Sequence, residues 1–500
     1  MLRTLVRDTA VYAVGVVLSR LVGFVMIPVY TRVLTPADYG VVETISRLTD
    51  IVGLLVGLGM SEALLRFYNE AKTEQQRGSL ISTSLVLTGL ATALATLVLL
   101  PVAPAVTRLT FGNAAYAHLV ALALLSMMLG NLGLLPLTLL RAQGRAWEYT
   151  ALSVVQLVTA LSLNILLVVH LRWGVAGVVW SGLLNGGAWS LALVCWLVAR
   201  HGGRFNARWA LALAAYGVPL VPAAIAQFVL HFSDRFFLVR LVPMAEVGVY
   251  ALAYRVAMLV SVFTGIANTA WWPWVFARHA AGDEVQTIRR GSAAMLALGS
   301  VVCSGVMLSA HPCIRLLAGP SFWRSADYVP WLALAYWFFV STFVLSVPMR
   351  LHNRTRLLAG ANVTTAAVCL ALNAVAIPRF GAWGAAGVTT FSMGLLALLE
   401  VGYGRRLGEH TYGLRLPVVL SLGLTGVAGL TAIWGGRLAG GIWRPTLAWA
   451  MFSAGVIALS HAESRRNARL AVAAQGGDGQ IAVSNTAVVA PVPPAGDQLR

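Results

Sequence analysis

The chain has 500 residues, of which 58% are hydrophobic and 11% charged, with a net charge of +18 and a mean hydropathy of +0.78. Soluble proteins carry about 25% charged residues, so this composition excludes a single soluble core and implies an all-α polytopic membrane protein. The positive balance does not imply nucleic acid as a partner, because the basic residues are scattered between apolar runs and form no basic stripe.

Apolar stretches of about 20 residues mark helices able to cross a bilayer. In chain order they fall at 10–31, 41–64, 80–103, 117–140, 149–170, 175–199 and 211–233, then at 247–273, 291–314, 328–349, 357–377, 383–403, 416–435 and 443–461. That gives about 14 transmembrane helices. The short basic start, Met1 to Asp8, leads into the first span with no small-residue cleavage site, which predicts an uncleaved span. The residues after His461 are small, polar and proline-rich, and predict a disordered tail over 462–500. The connecting loops are short and leave no room for a catalytic domain outside the membrane. Arginines crowd alternate ends of the spans, as at Arg141 and Arg145 or Arg350, Arg354 and Arg356. The positive-inside rule then places both termini in the cytoplasm.

A group of residues occurs twice. Arg32, Asp38, Gly40 and Arg47 reappear 208 positions later as Arg240, Glu246, Gly248 and Arg255. Further matches follow in the same order: Arg77-Gly78-Ser79 with Arg290-Gly291-Ser292, Arg108-Leu109 with Arg315-Leu316, and Leu163-Asn164 with Leu372-Asn373. The pattern predicts a duplication, with a six-helix lobe over 1–205, a second over 206–410, two additional helices over 411–461, and the tail. Six spans per half is an even number, so the lobes share one orientation and form a parallel pseudo-repeat about an axis along the membrane normal.

Charges inside the spans are the candidate site. Glu43, Arg47 and Asp50 are spaced i, i+4, i+7 and so lie within about 60° of one another on a single helix face. Gln227, His231 and Asp234 repeat the spacing on the seventh span. Arg20 lies about 15 Å along the first span, near the midplane. Intramembrane charge is expensive and points to a polar pathway. On this reading Arg20, Arg47, Arg255 and Gln227 bind substrate, and arginine forks suit an anionic headgroup. Glu43, Asp50 and Asp234 are the candidates for coupling to a proton or sodium ion. A purely structural role is the competing reading, with the Glu43–Arg47–Asp50 trio locking helices and Arg47 and Arg255 snorkelling to the outer face.

Four cysteines sit in or beside apolar runs with no CxxC, so neither a metal site nor a disulfide framework is expected. The chain has no GxxxxGK[ST], HExxH or GxSxG motif, so ATP hydrolysis and other catalysis are not expected, and no cofactor is implied.

The stretch Pro28-Val29-Tyr30-Thr31-Arg32-Val33-Leu34-Thr35-Pro36-Ala37-Asp38-Tyr39-Gly40 resembles the start of bacterial polysaccharide translocases, the Wzx-type O-antigen and exopolysaccharide flippases. Tyr216-Gly217-Val218-Pro219-Leu220, Ser233-Asp234-Arg235, Val247-Gly248-Val249-Tyr250 and Leu140-Arg141-Ala142-Gln143-Gly144-Arg145 share the resemblance, which covers roughly residues 5–405. It implies a place in the superfamily of multidrug and toxin extruders, oligosaccharidyl-lipid exporters and lipid II flippases. It also implies movement of undecaprenyl-diphosphate-linked oligosaccharide from the cytoplasmic to the outer leaflet of the bacterial inner membrane by alternating access. The implied partners are that lipid-linked substrate, membrane lipids, and a polysaccharide polymerase and co-polymerase. A cation-coupled multidrug exporter and a lipid II-type flippase are the alternatives.

Overall fold

The computed structural model describes residues 24–407 apart from 202 and 282–284, together with short pieces between 422 and 429. Arg20, the fourteenth predicted span, nearly all of the thirteenth, and the tail lie outside the described residues.

Among the described residues the chain is helical and has no strand. Nine helices are long and apolar enough to cross a membrane, or ten if one bent pair counts as a single span. Their order is α1 (Phe24–Val33), α2 (Pro36–Gly57), α3 (Met60–Tyr68), α4 (Glu74–Phe111), α5 (Ala117–Ala142), α6 (Ala146–Asn164) and α7 (Gly174–Arg200). Then come α8 (Ala207–Gly217), α9 (Val221–Leu241), α10 (Met244–Ala257), α11 (Leu259–Ala280), α12 (Val285–Leu317), α13 (Val329–Leu345), α14 (Val347–Leu351) and α15 (Thr355–Arg406). Large apolar side chains such as Leu90, Leu94, Leu97, Leu191 and Leu398 stay exposed on the outside of these helices. That pattern suits a surface solvated by lipid tails rather than water.

Local chemistry explains where the helices begin and bend. Thr35 and Asp38 form a capping box at the start of α2, with Pro36 in its first turn. Thr73 and Gln76 do the same for α4. The predicted second span is broken: Leu58 and Gly59 both take left-handed backbone angles, and α2 and α3 meet at a 43° bend. Gly59 has a second constraint, because a methyl group there would lie 2.6 Å from the carbonyl oxygen of Gly217. The predicted seventh span is longer than its apolar core, running over Ala207–Leu241 with a 3₁₀ turn at Val218–Leu220 around Pro219. The predicted eleventh and twelfth spans form the single long α15, sharply turned at Gly381 (φ 56, ψ −136), a conformation open mainly to glycine.

The helices pack as two bundles. In the first, α5 is central and meets α2, α3, α4, α6 and α7. In the second, α13 and α15 are central, α15 packing on α9 and α13 on α10, α11 and α12. The bundles meet mainly where α2 lies against α10 and α9. The short α8 is an exception to the predicted division, because it leans on α3 and α4 of the first bundle before the chain continues into α9 of the second.

The α2–α10 contact follows the duplication. A methyl group on Gly40 would fall 2.5 Å from the Met244 carbonyl oxygen, and one on Gly248 would fall 1.9 Å from the Pro36 carbonyl oxygen. Pro36 and Met244 are themselves 208 positions apart, so the two repeats grip each other reciprocally. Small residues at such a crossing let backbones approach within the membrane. Around this crossing, Arg240 Nε and Nη2 donate to the Leu109 carbonyl at 3.0 and 2.7 Å, and the Gly319 N–H donates to Thr31 Oγ1 at 3.2 Å. The Tyr39 and Phe322 rings meet edge to face at 5.6 Å. These contacts close the interface at the end of the molecule where arginines are few.

Candidate functional site

Two turns beyond the Gly40–Gly248 crossing, α2 and α10 present Arg47 and Arg255, about 10 Å further along each helix. Neither arginine snorkels outward. Arg47 Nε donates to Glu43 Oε1 at 3.0 Å, and its Nη1 donates to Asp50 Oδ2 at 2.7 Å. Arg255 Nη2 reaches from the other bundle and donates to Glu43 Oε2 at 3.1 Å. Glu43 therefore uses one oxygen for each arginine and joins the two bundles through a single carboxylate. It is buried, whereas the Asp50 side chain is 48% exposed and that of Arg47 is 17% exposed, so the group opens on the Asp50 side.

The i, i+4, i+7 face read from the sequence is thus a connected ion network. The Arg47 guanidinium lies 4.4 Å from the centre of the Phe232 ring of α9, and that of Arg255 lies 5.5 Å from the Tyr39 ring. Such stacking lets a guanidinium sit in an apolar region while part of its fork remains available.

A second charged group lies on α9 and is fully buried. Arg235 Nη1 donates to Asp234 Oδ1 at 2.7 Å and to the His231 carbonyl at 3.1 Å. Tyr250 donates its hydroxyl to Asp234 Oδ2 at 2.5 Å, and the Thr389 hydroxyl of α15 donates to the same oxygen at 3.4 Å. The Arg235 guanidinium lies 3.7 Å from the Tyr254 ring centre, with the Phe232 and Tyr250 rings at 5.3 and 5.4 Å. Its Nε and Nη2 have no hydrogen-bond partner, so aromatic faces stand in for acceptors. Phe232 is shared: Arg47 stacks on it from the first bundle and Arg235 from the second. Three arginines and three carboxylates therefore sit together in balance, in two linked groups.

The structure brings together Arg47, Arg255, Glu43 and Asp50, and sets Asp234 one aromatic layer away from them. Gln227 is placed apart, exposed on α9, where its amide donates to Asn362 Oδ1 at 3.4 Å. His231 packs among the Phe232, Tyr336 and Phe339 rings, with Nδ1 3.5 Å from the Tyr254 hydroxyl. Glu400 is buried on α15 and its Oε2 has no hydrogen-bond partner. Arg235 lies just past the predicted end of the seventh span at 233, and its complete burial inside α9 is the main correction to the sequence reading. Tyr39, Tyr250 and Tyr254 were missed. Tyr250 and Tyr254 stand four residues apart and next to Arg255, a spacing that places both on one helix face. Among the described residues, no group of three or more His, Cys, Asp or Glu side chains is arranged to hold a metal ion.

This constellation is suited to holding an anion between two helix bundles. Arginine forks pair with phosphate or carboxylate oxygens, and here two forks from equivalent positions converge on one acceptor.

The structure resembles solved membrane transporters. It matches the lipid II flippase MurJ in an inward closed conformation with a TM-score of 0.69 and 12% identity, covering 90% of this chain and 99% of that chain. It matches a multidrug resistance MATE family transporter of the MOP superfamily, in an inward-facing conformation, with a TM-score of 0.63 and 16% identity, covering 78% and 94%. A MOP superfamily transporter from Pyrococcus furiosus, described as having a binding pocket of reverse polarity, matches with a TM-score of 0.54 and 16% identity, covering 81% and 95%. At these identities the shared feature is the fold. No curated protein matches the chain. The sequence pattern of the family described as "Polysaccharide biosynthesis protein" matches residues 5–279, more than half of the chain. The chain therefore belongs to the polysaccharide biosynthesis protein family, built on the polytopic helical fold that MATE transporters and MurJ share.

Proposed function

We propose that this protein is a flippase for undecaprenyl-diphosphate-linked oligosaccharide repeat units, carrying them from the cytoplasmic to the outer leaflet of the bacterial inner membrane. The observation that carries the reading is the convergence of Arg47 and Arg255, one from each copy of the duplicated segment, on a single acceptor between the bundles. A diphosphate offers several oxygens to such paired forks. Asp50, on the open side of the group, is the candidate coupling carboxylate, with Glu43 and Asp234 behind it. The glycine crossing at the arginine-poor end acts as the outer closure, and the two bundles move as the lobes in alternating access, with α8 carried on the first. Both termini face the cytoplasm, and export serves surface or extracellular polysaccharide, alongside a polymerase and co-polymerase.

A second reading, a lipid II-type flippase, is favoured by the near-complete coverage of the MurJ fold. It uses the same diphosphate chemistry and differs in the glycan. The two separate in lipid extracts from cells lacking this protein, analysed by mass spectrometry. Accumulation of one completed oligosaccharide repeat on its diphosphate carrier, with loss of surface polysaccharide, is the expected result. Accumulation of lipid II would favour the second reading. A normal lipid pool with normal surface glycan would remove both and leave a cation-coupled exporter of small molecules.

A further inference from the structure

Glu43 has an unusual position among the charges of the site. It is 4% exposed, and it accepts from Arg47 of its own helix and from Arg255 of the other bundle at 3.0 and 3.1 Å. These are the two forks that the flippase reading assigns to the diphosphate. The same donors point at Glu43 in the geometry they would offer a phosphate oxygen. A carboxylate and a diphosphate compete for the same N–H groups, Arg47 Nε and Arg255 Nη2.

The duplication makes the arrangement one-sided. The position equivalent to Glu43 in the second copy is Ala251, and that equivalent to Asp50 is Met258. One carboxylate therefore accepts from an arginine of each repeat, and its removal takes one acceptor from both at once. Asp50 holds Arg47 from the open side at 2.7 Å.

We propose that Glu43 is a built-in stand-in for the anionic group of the transported lipid: it occupies Arg47 and Arg255 in the empty protein and is displaced from both when a diphosphate binds. The inference rests on the diphosphate reading above and adds a specificity device to it. A ligand with a single weak negative charge gains little by replacing a carboxylate already bonded to two arginines. A diphosphate supplies more charge and more oxygens, and so competes. Displacement also opens the Glu43–Arg255 ion pair that ties α2 to α10, which links substrate arrival to the contact between the bundles.

The test uses the full-length protein in phosphatidylcholine nanodiscs, with farnesyl diphosphate as the probe and calorimetric titration as the readout. Glu43→Gln, which keeps the shape and loses the charge, is expected to bind the probe roughly tenfold more tightly than the unaltered protein. Glu43→Asp, too short to reach both arginines, is expected to bind a few-fold more tightly and guards against a Gln variant that fails to fold. Arg47→Ala and Arg255→Ala are expected to bind it far more weakly. Folded Glu43 variants with unchanged or weaker affinity, beside tight binding by the unaltered protein that either arginine variant abolishes, would overturn the stand-in role alone. If neither the unaltered protein nor the Glu43 variants bind the probe, the diphosphate reading and the stand-in role fall together.

Discussion

The two copies of the duplicated segment, α2 and α10, share their packing and differ in their chemistry. Gly40 and Gly248 touch the opposite helix in the same way, and Arg47 and Arg255 converge from equivalent positions. The acids do not correspond. Asp38 caps its own helix through Thr35, whereas its counterpart Glu246 reaches across to accept from the Ala382 N–H at 3.3 Å. Arg240 grips the Leu109 carbonyl, whereas its counterpart Arg32 is exposed. The Asp234–Arg235 pair of the second half stands where the first half has Met26 and Ile27. A symmetric scaffold thus carries an asymmetric site. The glycines are constrained by backbone contact on both sides, while each charged position needs only one partner and is free to find a different one.

Substitutions can break this comparison at its strongest points. Asp234→Ala should have the largest effect on stability, because it strands the fully buried Arg235; losing one member of a buried pair costs about 3–5 kcal/mol. The thermal unfolding midpoint in detergent should fall steeply, and a midpoint close to that of the unaltered protein would mean Arg235 is held by its aromatic neighbours alone. Gly248→Ala should follow, at about 1–3 kcal/mol, since its methyl meets the Pro36 carbonyl oxygen at 1.9 Å and one backbone must move. Gly40→Ala should cost less, because its contact with Met244 is 2.5 Å. Equal midpoints for the two glycine variants would show that the crossing relaxes evenly and the reciprocity is looser than the distances suggest. Arg240→Ala removes two bonds to the Leu109 carbonyl and should cost about 1.5–3 kcal/mol, while Arg32→Ala should change the midpoint little. Arg145→Ala, which breaks a surface pair with Glu148, should cost under about 1 kcal/mol and serves as the reference for charge removal alone.

Much of this was legible in the sequence because membrane helices are written in long apolar runs and intramembrane charge is rare. Predicted spans two to twelve all have their helices, and the Glu43–Arg47–Asp50 face is a single connected network. What was not legible depends on neighbours distant in the chain. The break at Leu58–Gly59 is set with Gly217 of α8 pressed against it, and within the apolar run only the glycines Gly57 and Gly59 mark the place. Arg235 sits directly before the Phe236–Phe237 pair near a predicted span end, a place where arginine ordinarily snorkels. The pairing with Asp234 and the stacking of Tyr254, Tyr250 and Phe232 around it make burial tolerable. The division of the seventh span between bundles is likewise a packing outcome, with α8 on one bundle and α9 in the other.

The central claim is that Arg47 and Arg255 act as one site. A double-mutant cycle on export of surface polysaccharide tests it most directly, comparing the unaltered protein with Arg47→Ala, Arg255→Ala and the pair, each at matched membrane abundance. Two arginines that hold one ligand should be strongly non-additive, with each single substitution removing nearly as much export as both together. Losses that simply multiply would show two independent positions, and export left intact in the double variant would contradict the account.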